Sequence, residues 1–200
     1  MRSAFLIITA LVSLASQAHA GVYKIDPDHS SVIFRVRHLV GHVTGQFTRF
    51  DGFFVYEEAN PGVWKASATI DATSIDTKTA KRDEHLRSED FFDVKNYPTL
   101  SFVSTKVTGI KGERAKLLGK LTILDVTKSI ALDLEIGGTA KGSDGLEHAA
   151  FTAKARIDRK DFGLTWNDTI ETGGVLVGDT VDITLEIEGI LQNAKEAGTK

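Results

Sequence analysis

Hydrophobic and polar residues alternate along most of this 200-residue chain. A period of two sends successive side chains to opposite faces of a strand. Between 28 and 40, "DHSSVIFRVRHLV" puts Val32, Phe34, Val36 and His38 on one face and Ile33, Arg35 and Arg37 on the other. The two arginines mark the wet face, so the first row is the buried one, and a histidine ends it. Similar patterns, rich in β-branched and aromatic residues, predict strands at 30–38, 44–57, 63–72, 98–109, 115–124, 129–138, 147–158 and 180–190. Turn signals separate them at Asn60-Pro61-Gly62, Thr108-Gly109, Gly137-Gly138 and Gly142-Ser143-Asp144-Gly145. The clearest strand faces Val181, Ile183, Leu185 and Ile187 inward, with Asp182, Thr184 and Glu186 outward.

One stretch breaks the rhythm. "TKTAKRDEHLRSEDFF", 77 to 92, has helix formers and no alternation. It predicts a short helix lying over the sheet, with Phe91 and Phe92 plugging into the core. About eight antiparallel strands and one helical excursion imply a mainly all-β domain, either a closed barrel or a sandwich. A closed barrel of this size is filled by side chains or holds one slender ligand. Small residues share the inward rows with large ones: Ala66, Ala68 and Ala72 beside Trp64 and Ile70, and Ala153 and Ala155 beside Phe151 and Ile157. Gly45 and Gly119 sit on rows with Val43, Phe47, Leu121 and Ile123. Such mixing fits a tight interlock or a channel equally well. A channel with these walls would accept a long apolar chain, each buried methylene contributing about 0.8 kcal/mol.

The first twenty residues stand apart. "MRSAFLIITALVSLASQAHA" has an early arginine, an apolar core and Ala18-His19-Ala20 ahead of Gly21, the pattern of a cleaved export signal. Its apolar run is short for a membrane span, which takes about 20 apolar residues. The mature domain is then expected to run from 21 to 200, with a frayed tail from Gln192, and to be exported. Without Arg2 it carries 23 basic against 27 acidic residues. That balance argues against nucleic acid, whose phosphates call for a basic face. There is no cysteine, so neither disulfides nor a cysteine-linked lipid contributes.

Spaced motifs then follow in order: "IDPDHSSVIFRVRHL", "GQFTRFDG", "TIDATSIDTKTAKRDEHLRSEDFFDVKNYPTLSF", "GKLTILDVTKSIAL" and "DRKDFGL". Together they resemble the YceI-like family of polyisoprenoid-binding periplasmic proteins, from about Tyr23 to Leu191; the fit is loosest at Gly173-Gly174-Val175-Leu176. The resemblance implies a lipocalin-like eight-stranded antiparallel barrel with a helix over it. It also implies an apolar tunnel holding an isoprenoid lipid, a polyprenyl chain or a quinone. Neither catalytic residues nor a required cofactor or metal come with it. The expected tunnel wall is Phe34, Val36, Phe47, Ile70, Phe102 and Ile123, with Phe91 and Phe92 closing the helix side. The expected reading is a periplasmic lipid carrier or store, with a filled-barrel, stress-linked adhesion or interaction module as the alternative. A homodimer and transient membrane contact stay open.

The polar candidates each carry two readings. His38 is either a core histidine bonded to backbone or a residue at the tunnel mouth. In "KRDEHLRSED", Arg82, Asp83 and His85 either ring the mouth, where an arginine fork suits a phosphate, or form a solvated helix face with pairs such as Arg82 with Asp83 or Glu89. His29 with Asp26 and Asp28 builds a turn. His29, His38, His42 and His85 lack metal-ligand spacing. The Asp-Phe-Gly of "DRKDFGL" has no nucleotide-loop partner; Phe162 reads as core, Gly163 as a turn, and Asp158 with Arg159 as an ion pair. No G-x-S-x-G elbow is present, and the chain reads as no enzyme.

Overall fold

The structure, a computed structural model, describes residues 20–169 and 175–192. The export pattern up to His19, the tail from 193 and residues 173 and 174 of the loop at 173–176 therefore lie outside the described residues.

Among the described residues, eleven strands and one α-helix make the fold. The strands are β1 (Gly21–Ile25), β2 (Ser31–His38), β3 (Gly41–Phe47), β4 (Phe50–Tyr56), β5 (Lys65–Asp71), β6 (Ile75–Asp76), β7 (Thr99–Lys111), β8 (Arg114–Ile123), β9 (Val126–Lys141), β10 (Glu147–Asp158) and β11 (Val177–Leu191). The helix α1 is Ala80–Arg87. All strand pairs are antiparallel. β1 and β2 act as two halves of one bent strand, as do β3 with β4 and β5 with β6. Counted that way, eight strands close an up-and-down barrel.

The seam lies along β11. One edge pairs with β10. The other takes β2 opposite Val177–Glu186 and β1 opposite Gly189–Leu191. Glu188, between these two ladders, is not left open. Its carbonyl accepts from the Asp26 amide at 2.9 Å, and its amide donates to Ser30 Oγ at 2.9 Å. The ring thus has no bare edge at the seam.

Period-two patterning placed the long strands well, but the turn signals at Thr108-Gly109 and Gly137-Gly138 fall inside β7 and β9, where the ladder shifts register instead of turning. Along β8 buried and more exposed residues alternate through all ten positions. The predicted strand at 44–57 is instead two strands with a corner at Thr48 and Arg49. Local alternation runs straight through this corner, so only long-range bonds reveal it. Arg49 donates to Asp71 Oδ2 (2.9 Å) and Thr73 Oγ1 (2.6 Å), and the Thr48 and Arg49 amides bond to Ser74. These bonds dock the corner on the 3-10 turn Ala72–Ser74. β1 and the two-residue β6 were not predicted; both are short and take their partners from far along the chain.

The helix occupies only the middle of the predicted 77–92 excursion. Arg87 ties its end to the carbonyls of Thr73 (2.7 Å) and Ile75 (2.6 Å). At its start Asp83, 6 % exposed, accepts from the Thr77 amide (2.8 Å) and hydroxyl. An acidic residue in the first turn also suits the helix dipole.

Candidate functional site

The barrel is hollow. Two chambers of about 200 and 110 Å³ lie along its axis. Ile25, Ala68, Phe102, Leu132, Leu185 and Ile187 line both, forming a waist. The larger chamber exceeds the ~150 Å³ of an apolar protein cavity that stays dry and takes up benzene. Among the described residues, its only charged lining residue is Arg159.

Glycines make the room. A Cβ on Gly119 would lie 2.3 Å from Phe102 Cζ, and one on Gly45 2.3 Å from Phe34 Cζ. A Cβ on Gly189 would lie 2.5 Å from Phe54 Cε1. Phe102 and Phe34 each rest on a glycine of the neighbouring strand, and Phe54 rests on one of β11, across β1. The choice between interlock and channel thus resolves as both: rings interlock with glycines, and a bore remains.

At one end α1 and the chain after it form a lid. Leu86, Phe91 and Phe92 line the larger chamber there, with Val36, Leu164 and Val177. Phe92 meets Phe47 edge-on at 5.7 Å, and Phe91 packs on Trp166 at 5.1 Å. The far end carries an aromatic plug. Tyr23 stacks on Phe54 (5.2 Å), and Phe151 meets both Phe54 and Tyr56 edge-on. Tyr56 also packs on Trp64 at 4.8 Å. The Tyr23 hydroxyl donates to Glu147. Burial pushes the Tyr23 phenol above its ordinary range, and the Glu147 carboxylate adds to this.

Phe34, Val36, Phe47, Ile70, Phe91, Phe92, Phe102 and Ile123, the expected tunnel wall, all line the larger chamber. The four expected mouth residues do not. His38 lies at the lid end, paired with Gly41 and Val177. Arg82 is committed to Thr77 (2.7 Å to Oγ1, 2.8 Å to O) and Thr79 Oγ1 (3.1 Å), so its expected pairing with Asp83 or Glu89 gives way to a clamp on the turn before α1. Asp83 is the buried acceptor of that turn. His85 bonds Asp90 at 2.8 Å and sits edge-on to Phe91 (5.1 Å) and Trp166 (4.8 Å). It belongs to the lid's outer packing.

Arg159 is also placed differently from its expectation. It pairs with Asp179 (3.3 Å), not Asp158, whose carboxylate accepts from the Lys160 amide. Only 3 % exposed, it donates to the carbonyls of Leu164, Trp166 and Gly178. Desolvation by burial holds its pKa below the ordinary arginine value. It staples the loop after the 3-10 turn Arg159–Phe162 to the start of β11. Phe162 is core, and Gly163 turns the chain at φ +84°. Trp166, Leu164 and Val177 were missed as lid-end residues. They lie in irregular chain or at a strand start, where periodicity carries no signal.

Of the histidines weighed as metal ligands, His85 pairs with Asp90 and His29 with Asp26, while His38 and His42 stand in the β2–β3 hairpin. At the far end Asp26, His29 and Glu188 bring one donor atom each within 4.8 Å of the others. His148 bonds Glu188 (2.9 Å) and Asp144 (3.2 Å) beside them.

The described residues thus form a closed eight-stranded barrel with an apolar bore, a helical lid at one end and an aromatic plug at the other, which places the chain among the hollow β-barrels. The YceI-like domain family matches residues 23–189, and the chain belongs to that family. It is 37 % identical over 190 residues to protein YceI of Escherichia coli O157:H7, covering 94 % of this chain and 96 % of that one. A UPF0312 protein of Pseudomonas aeruginosa (strain LESB58) is 36 % identical over 192 residues, covering 94 % and 97 %. Among solved structures, the Campylobacter jejuni YCEI protein superposes with a TM-score of 0.69 at 35 % identity, over 78 % of this chain and 90 % of that one. A polyisoprenoid-binding domain from Saccharophagus degradans shares the fold, at TM-score 0.62 and 16 % identity over 87 % and 100 %.

Proposed function

We propose that this protein binds a long-chain isoprenoid lipid, a polyprenyl chain or a quinone, in its bore and serves as a periplasmic carrier or store. The observation that carries this reading is the pair of chambers meeting at a shared apolar waist, walled by carbon from lid to plug. Their combined volume of about 310 Å³ stands at the lower end of the range for ligand pockets. A branched apolar tail therefore enters first and occupies the axis, while any head group stays towards the lid. Binding draws on apolar burial, about 0.8 kcal/mol per methylene, and needs few hydrogen bonds. The solved polyisoprenoid-binding domain of the same fold supports the choice of ligand. The export pattern at 1–20 supports the compartment. The role is binding, without catalysis, isoprenoid being ligand and not cofactor.

The test is to purify the exported protein from cells, extract it and identify bound lipid by mass spectrometry, then add polyprenol and quinone probes to the stripped barrel. Co-purified isoprenoid or saturable probe uptake is expected. A natively folded barrel that carries no lipid and takes up neither probe overturns the reading.

A further inference from the structure

The hairpin between β2 and β3 is as tight as a hairpin gets. His38 pairs with Gly41, leaving Leu39 and Val40 as its two-residue loop. Leu39 has φ +52°, a left-handed conformation that glycine adopts freely and a bulky side chain does not. Val40 is fully exposed, and Leu39 keeps 37 % of its surface exposed. Strain and exposed apolar surface thus coincide at one tip.

Leu124 is the internal control. It opens the equivalent two-residue loop between β8 and β9, with φ +55°. Leu124, however, packs onto the barrel's inner cluster, and that burial offsets the strain. Nothing comparable offsets it at Leu39, which belongs to neither core cluster.

The tip stands at the lid end. The Leu39 amide donates to the Leu176 carbonyl at 2.9 Å, and Val175, 46 % exposed, lies beside that bond. Just behind, Val36 and Val177 line the larger chamber. From Ser31 to Gln46 the hairpin carries Arg35, Arg37, His38 and His42 and no acidic residue.

We infer that the Leu39-Val40 tip is a membrane-contacting finger that sets the lid end of the barrel against an anionic bilayer, where lipid passes to or from the bore. Three apolar side chains are far too few for a stable protein partner, which takes about 800 Å² per side. They suit shallow insertion below headgroups, and Arg37, whose Nε donates to the Leu39 carbonyl at 2.9 Å and so sits at the tip, suits lipid phosphates; Arg35, further back, faces Asp182 of β11. The loading role rests on the bore being a lipid site; the contact itself does not.

The experiment is flotation of the protein with phosphatidylglycerol-containing vesicles and with pure phosphatidylcholine vesicles, for wild type, Val40→Asp and Leu39→Gly. A stripped barrel is also offered a polyprenol probe, once from vesicles and once from detergent. Wild type should float with anionic vesicles, and both variants should lose roughly tenfold in bound fraction. Leu39→Gly should do so while raising Tm, since it relieves the strained φ. Both variants should take the probe from detergent as wild type does, and more slowly from vesicles. Variants that float like wild type, or a wild type that does not float, overturn the inference; in either case uptake from detergent still upholds the bore. Flotation that depends on the tip, with no probe taken from either source, upholds the contact and overturns the bore.

Discussion

The ring of Phe102 lies over Gly119, two strands' worth of main chain meeting where one has no side chain. A Cβ at Gly119 would stand 2.3 Å from Phe102 Cζ and 2.8 Å from the carbonyl oxygen of Val103. Phe102 also belongs to the waist between the two chambers. The glycine is what leaves room for the ring beside the waist.

Gly119→Ala should therefore push Phe102 towards the axis. Overpacking of this kind costs about 1–3 kcal/mol, read as a shift in denaturation midpoint. Uptake of a polyprenol probe should fall along with it. Unchanged stability and uptake would mean the ring has free space that the geometry denies it.

Ala68→Phe attacks the same waist from β5. Ala68 lines both chambers, so the new ring has empty space to enter. Stability should drop by less than about 1 kcal/mol, while probe uptake is abolished. The contrast with Gly119→Ala separates filling a void from crowding a wall.

Asp83→Ala removes the acceptor for the Thr77 amide and hydroxyl, both inside a buried turn. Leaving buried donors unpaired costs about 1–3 kcal/mol. Asp83→Asn keeps an acceptor oxygen and should lose less. Because α1 belongs to the lid, bound probe should leave Asp83→Ala faster than wild type in a stopped-flow displacement.

The far end of the barrel should show a pH signature. His148 lies between Glu188 and Asp144. Burial works against its charge, but the two carboxylates outweigh burial and raise its pKa above 6.5. Asp26, bonded to His29, and Asp144, which accepts the Leu146 amide and bonds His148, lie below 3.8. A raised histidine stabilises fully below 6.5, and that contribution is lost as pH climbs through the raised value. A lowered carboxylate stabilises above 3.8 and loses its contribution as pH falls through the lowered value. The pairs contribute most between these limits. The Tm gap between wild type and His148→Gln should be widest near pH ~5–6 and narrow towards pH ~8. A gap constant with pH would assign His148 a purely steric role.

The sequence made the long strands and the chamber wall legible because both follow from alternation. Val181, Ile183, Leu185 and Ile187 line the chambers as their spacing implied. What escaped was whatever depends on residues distant in the chain. The corner at Arg49 is made by Asp71 and Thr73. Arg159 finds Asp179 twenty positions on. Polar density in "KRDEHLRSED" pointed to a rim, yet Arg82 and Asp83 are spent on Thr77, since a turn buried beneath the lid needs its donors and acceptors paired. Small inward residues announced spare volume without saying who would take it; the answer, a phenylalanine lying on a glycine one strand away, is a cross-strand fact.

The seam along β11 carries one more consequence. It joins the first and last strands of the described residues, so the cylinder cannot shut until the chain is nearly all available. Until then the oily interior is an open trough with two unpaired borders, in a topology dominated by distant pairings and therefore slow to form. A greasy guest meeting the trough at that stage would be enclosed by the final strand, with no need to thread past the lid.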